Sequence, residues 1–122
     1  MNLTKGQRKS KDGIELHSLE DFAGMHAAGH VAAEILDEIV TFVFPGQTTG
    51  KIDAIIGQLI KDKNVDSATI GYRGYQHASC ISVNHVVCHG IPGDKLLKDG
   101  DILNIDVTVI KDGWYGDTSR MY

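Results

Sequence analysis

The sequence predicts an α+β fold in which two helices cover one face of a mainly antiparallel sheet. Three observations carry this expectation. Apolar residues recur every three or four positions through the first half of the chain. After Val65 the chain turns to short β-branched and aromatic runs separated by Gly, Pro and Asp, and an Asp-Gly pair joins the last two of them. Helices first and strands afterwards, with no internal repeat, is the order of an α+β unit.

Phe22, Met25, Ala28, Ala32, Ile35, Ile39 and Val43 make a stripe at helical spacing and predict one helix from Leu19 to Phe44. Ser18 is its N-cap, with Asp21 three positions on and Glu20 in the first turn, where acids oppose the positive helix end. Pro45-Gly46 stops it. A second helix starts after Thr48 or Thr49, carries Ile52, Ile55, Ile56, Leu59 and Ile60, and ends near Lys63-Asn64. The runs SATIGY (67–72), SCISVNHVVCH (79–89) and DILNIDVTVI (101–110) read as strands.

The chain has 122 residues, 42% of them hydrophobic and 23% charged, which excludes disordered, collagenous and low-complexity classes. No run approaches the roughly 18 apolar residues of a membrane span, and the first dozen residues lack the apolar core of a secretory signal. The expectation is a cytoplasmic protein with no membrane contact. A net charge of -4 gives no field to gather a polyanion, so no specific nucleic-acid partner is expected. Residues 1–13 hold Lys5, Arg8, Lys9 and Lys11 against Asp12 and read as a basic flexible tail, with ribosome contact as the alternative; residues 14–122 form the domain. Cys80 and Cys88 fit neither a CxxC pair nor a four-ligand zinc site and are expected as buried thiols.

The most informative stretch is ILNIDVTVIKDGWYGDTSRMY, residues 102–122. Asp112-Gly113 suits a two-residue type I′ turn, whose central positions both need positive φ. Lys111 then faces Trp114, Thr108 faces Asp117, and Asp106 faces Ser119. Asp106 and Asp117 become diagonal neighbours on one face, about 7 to 8 Å apart at Cα. Two carboxylates converging there repel unless a cation lies between them, and a divalent metal is the natural one. Two solvated strand carboxylates are the alternative reading, and a β-bulge at Gly116 would separate the pair.

The strings VCHGIP (87–92), LKDGDILNIDVTV (97–109) and GWYGDTSRM (113–121) resemble the N-terminal half of bacterial type I methionine aminopeptidases. AAGHVAAEILD (27–37), FPGQTT (44–49) and GYRGY (71–75) add to the resemblance, which covers about residues 14–122. It implies half of a pita-bread fold, whose two pseudo-symmetric halves hold two divalent metal ions, Co, Mn, Fe or Zn. It also implies removal of the initiator methionine from nascent polypeptide N-termini. By the same resemblance Asp106 and Asp117 are metal ligands, and Asp117 bridges both ions. His89 is the catalytic histidine that contacts the substrate amide. Tyr72, Tyr75 and Cys80 form, with His89, the substrate-binding pocket for the methionine side chain. His17, His26, His30, His77 and His85 match no catalytic position. The chain departs from the family pattern at Thr69, where a cysteine is common, at Gln76, where a proline is usual, and at His26 and His30, which are often arginine.

The remaining ligands that the resemblance implies, one histidine and two glutamates, belong to a C-terminal half beyond Tyr122. The expectation is therefore a part of a methionine aminopeptidase, inactive alone. The competing readings are one chain of a split enzyme, a catalytically inert pita-bread binding module, and a related peptidase that cleaves before proline.

Overall fold

The computed structural model describes residues 8–122; most of the basic tail, residues 1–7, lies outside them. Helix α1 spans Leu19–Ile39. Its start is a reciprocal capping box. The Asp21 amide donates to Ser18 Oγ at 3.2 Å, and the Ser18 amide donates to Asp21 Oδ2 at 2.8 Å. The α-helical ladder ends at Ile39, five residues short of the expectation from spacing, and a 3-10 turn over Val40–Phe42 follows. Ile39-Val40-Thr41 is a β-branched run, and Phe44, which precedes Pro45, is biased away from helical backbone.

The buried face of α1 also differs from the expected stripe in its first turns. Asp21, Ala28, Ala32, Ile35 and Ile39 are buried, whereas Phe22 and Met25 are about half exposed. Asp21 and Gly24 lie seven and four residues before Ala28, so the inward face runs through them. Trp114 lies against Gly24 and takes the space a side chain would fill. Phe22 and Met25 sit one position further round.

Helix α2 spans Thr49–Asp62, capped by Thr48, whose Oγ1 accepts from the Lys51 amide at 3.1 Å. It buries Ile52, Asp53, Ile56 and Ile60. Four strands follow: β1 (Asp66–Ser67), β2 (Ser79–Val83), β3 (Leu103–Lys111) and β4 (Trp114–Met121). Two of the expected strands are therefore shorter than their composition suggested. SATIGY gives only the end of β1 before Gly71 and Arg73 turn the chain with positive φ, and SCISVNHVVCH leaves the sheet after Val83, where Asn84 also has positive φ.

All pairing is antiparallel and centres on β3. Along one side β4 pairs with residues 104–111; along the other β2 and then β1 pair with residues 103–107 and 109–110. Leu103, Ile105, Val107 and Val109 point to the helices and join Ala32, Ile35, Ile52 and Ile56 in one apolar core. Asn104, Asp106 and Thr108 occupy the opposite, helix-free face, following the two-residue period of a strand. The sheet thus has one face for the core and one for chemistry.

Candidate metal centre and adjoining cavity

The hairpin positions the two carboxylates. Asp112 (φ 50°) and Gly113 (φ 83°) make the tight turn, and β3 and β4 pair in the register Lys111 with Trp114, Thr108 with Asp117 and Asp106 with Ser119. No bulge interrupts the ladder at Gly116, which pairs with Val109. α1 crosses so closely there that a Cβ on Gly116 would run into the Ala28 carbonyl. Asp106 and Asp117 therefore share the face opposite the helices.

The two side chains interact. Burial, and then the Asp117 carboxylate within hydrogen-bonding reach, push the Asp106 carboxyl above the usual range, while His89 draws it the other way. Neither carboxylate forms an ion pair with a Lys, Arg or His among the described residues. Crowded, uncompensated carboxylate oxygens are the donor set a divalent cation satisfies, so the pair suits part of a metal site. Among the described residues no group of three His, Cys, Asp or Glu side chains converges to complete one.

Beside the pair lies an open cavity of about 400 Å³, lined by Thr69, Tyr72, Arg73, Tyr75, Cys80, His89 and Ile91. It gathers all four residues singled out for the pocket. Cys80 on β2 pairs directly with Asp106, so the cavity wall and the carboxylates are neighbours in the sheet. The Tyr75 hydroxyl donates to the Ser79 carbonyl at 2.8 Å, and Cys80 Sγ donates to the Tyr75 oxygen at 3.5 Å. Burial first, and Cys80 second, push the Tyr75 phenol well above its usual range, so it stays protonated as a donor. Cys80 is half-buried and Cys88 is exposed, so the expectation of two buried thiols fails at Cys88, which lies on the loop after β2 rather than in a strand.

His89 reaches this cavity from the loop after β2 with a left-handed backbone, φ 57°. Its neighbour Gly90 is stitched to β2: the Gly90 amide donates to Ser82 Oγ at 2.9 Å, and the Ile81 amide donates to the Gly90 carbonyl at 2.9 Å. The loop is thereby held against the sheet edge while the imidazole stays exposed. Reading of the sequence missed Arg73, Ile91 and Asp53. Asp53 had a usable signal, since it falls among Ile52, Ile56 and Ile60 on the buried side of α2.

A sequence model of metallopeptidase family M24 matches residues 23–122. The chain belongs to that family. Membership in a metallopeptidase family implies divalent metal ions, in keeping with the carboxylate pair. This M24 chain is 54% identical over 109 residues to a methionine aminopeptidase of Rickettsia prowazekii and 53% identical over 111 residues to one of Escherichia coli K12. Each match covers 89% of this chain and 42% of the relative. The crystal structure of methionine aminopeptidase from Rickettsia prowazekii superimposes with a TM-score of 0.87 over 88% of this chain and 44% of that one. The architecture is that of the pita-bread proteins. The chain spans less than half the length of the curated relatives it matches. Of the departures noted above, only Thr69 lines the cavity; Gln76, His26 and His30 are exposed outside it.

No helix among the described residues is long and apolar enough to cross a membrane.

Proposed function

We propose that these residues form the methionine-recognising part of a methionine aminopeptidase and contribute its Asp106 and Asp117 metal ligands. The observation that carries this reading is the adjacency of two converging carboxylates to a cavity lined by Tyr72, Tyr75, Cys80 and His89. A thioether is polarisable and packs well against aromatic rings and sulfur, which Tyr72, Tyr75 and Cys80 offer. His89 lines the same cavity and acts electrostatically on Asp106, which supports a role in hydrogen-bonding the substrate amide between the first and second residues.

Asp106 and Asp117 would be ligands to two divalent ions, drawn from Co, Mn, Fe and Zn, with Asp117 the ligand common to both and the other ligands supplied from outside these residues. Bound ions contribute Lewis-acid polarisation of the scissile carbonyl and activation of water. The substrates are nascent polypeptide N-termini in the cytoplasm. An inert binding module fits the arrangement less well, because binding alone requires neither a crowded carboxylate pair nor a strained histidine beside it.

Calorimetric titration of the chain with Mn²⁺ tests the reading. Binding that is abolished in both Asp106→Asn and Asp117→Asn is the expected result; Mn²⁺ binding unaffected by either substitution would overturn it.

A further inference from the structure

Asp53 is tied by hydrogen bonds into the wall of the cavity, yet it does not line it. It sits on α2 at 8% exposure, among the apolar residues that pack on the sheet. One of its oxygens, Oδ1, accepts from the Ala78 amide at 3.0 Å and from Ser79 Oγ at 2.6 Å; the other faces His77 Nδ1 at 3.3 Å. Three successive residues entering β2 are therefore tied to one carboxylate. A buried carboxylate is costly unless its oxygens are satisfied, so this cluster has little freedom to rearrange.

Each of those three residues, or its neighbour, in turn holds part of the cavity wall. Ser79 accepts the Tyr75 hydroxyl on its carbonyl, and Cys80 follows it directly in β2. The His77 ring meets the Tyr75 ring edge-on at 5.4 Å between centroids, and the His77 carbonyl accepts from Thr69 Oγ1 at 2.7 Å. Thr69, Tyr75 and Cys80, on three separate segments, are thus referred to a single anchor on the helix behind the sheet.

We infer that Asp53 is a positioning residue that sets the spacing of Thr69, Tyr75 and Cys80 and hence which side chain the cavity accepts. The inference rests on the proposed methionine pocket for its ligand, but the position of Cys80 can be read without any ligand. A merely structural tie between α2 and β2 would loosen the whole molecule when cut; a positioning tie changes the cavity and spares distant sites.

The test uses the two cysteines of the chain, Cys80 in the cavity and Cys88 exposed outside it, and measures the iodoacetamide alkylation rate of each by mass spectrometry, with and without L-methioninamide. In the unaltered protein L-methioninamide slows alkylation of Cys80 and leaves Cys88 unchanged. Asp53→Ala should raise the Cys80 rate by about tenfold, the scale of one lost hydrogen bond to a charged group, abolish the protection, and leave Cys88 alone. Asp53→Asn, which keeps one acceptor oxygen for Ala78 and Ser79, should recover most of both. Ser79→Ala should reproduce a weaker form of the Asp53→Ala effect and decides the matter if Asp53→Ala does not fold. Unchanged Cys80 behaviour in the folded variants, or Cys80 and Cys88 rates rising together, would overturn the inference. Absence of protection in the unaltered protein would instead overturn the methionine pocket, with the rates in the variants still reporting on Asp53.

Discussion

A histidine held at φ 57° carries a backbone cost of order 1 to 3 kcal/mol, which glycine would not incur. The loop around His89 is otherwise well bonded to β2, so the strain is retained for the imidazole it presents to the cavity. His89→Gly is accordingly expected to unfold at a higher temperature than His89→Ala, by the equivalent of about 1 kcal/mol. Equal melting temperatures would show that the backbone there is unstrained. Asp106 presents a similar conflict between fold and site. An acid whose folded pKa is raised adds stability below its unfolded pKa and loses it as pH climbs through the folded value, so at neutral pH the ionised Asp106 opposes folding. Without divalent ions, Asp106→Asn should therefore melt higher than the unaltered chain at pH 7. With saturating Mn²⁺ the order should reverse, because only the unaltered chain gains from binding. Calorimetry under both conditions checks this, and an unchanged order would remove the basis for a cation between the carboxylates.

The helix starts and the hairpin were legible because each depends on a few adjacent residues. Ser18 with Asp21, Thr48, and Asp112-Gly113 act through local hydrogen bonds or φ preference, and the register that aligns Asp106 with Asp117 follows from the turn alone. What escaped depends on contacts distant in sequence. SATIGY has strand composition, yet Gly71, Arg73 and Gly74 turn to wall the cavity; Phe22 and Met25 have helical spacing, yet Trp114, 90 residues away, selects the neighbouring face. Tyr75, Cys80 and His89 were legible only through family resemblance, since nothing local distinguishes them from packing residues. At this scale the α1 cap should show a pH signature. Hydrogen bonds from the Ser18 backbone, and then from His17 and the Ser18 hydroxyl, hold the Asp21 carboxyl below its usual range. For a lowered acid the stabilisation is present above the unfolded pKa, near 3.9, and is lost as pH falls through the folded value. Asp21→Asn should destabilise the chain at pH 7 and flatten its stability profile below about pH 4. Ser18→Ala should cost about 1 kcal/mol. Gly116→Ala, which presses a methyl into the Ala28 carbonyl, should be more damaging than either in urea unfolding, and a smaller effect would mean that α1 shifts freely on the hairpin.

Across the whole molecule the division of the sheet explains what these 122 residues can do alone. One face is closed by α1 and α2; the other carries Asp106, Asp117 and the cavity, and no described element covers it. On its outer side β4 pairs with no other described strand, and Tyr115 and Met121 on it are about half exposed. An open strand edge beside exposed apolar side chains is a template for pairing with another chain. Two carboxylates can also hold a metal ion only loosely, because divalent ions of this kind take further donors from His and carboxylate side chains, and among the described residues no third converges here. The residues alone are therefore expected to show no cleavage of a Met-Ala peptide with added Mn²⁺ or Co²⁺, and to self-associate in light scattering. Adding the second half of a methionine aminopeptidase, joined in one chain, should cover the open face, complete the ligand set and yield activity. In that completed protein Asp117→Asn should abolish turnover, because under the proposed assignment it removes the ligand common to both ions. His89→Ala should leave a residual rate lower by about 10² to 10³-fold, the usual cost of one transition-state hydrogen-bond donor. Steady-state assays with saturating metal separate the two. An active monomer from the 122 residues alone, or equal residual rates in the two variants, would show that the site is organised differently from the assignment given to Asp117 and His89.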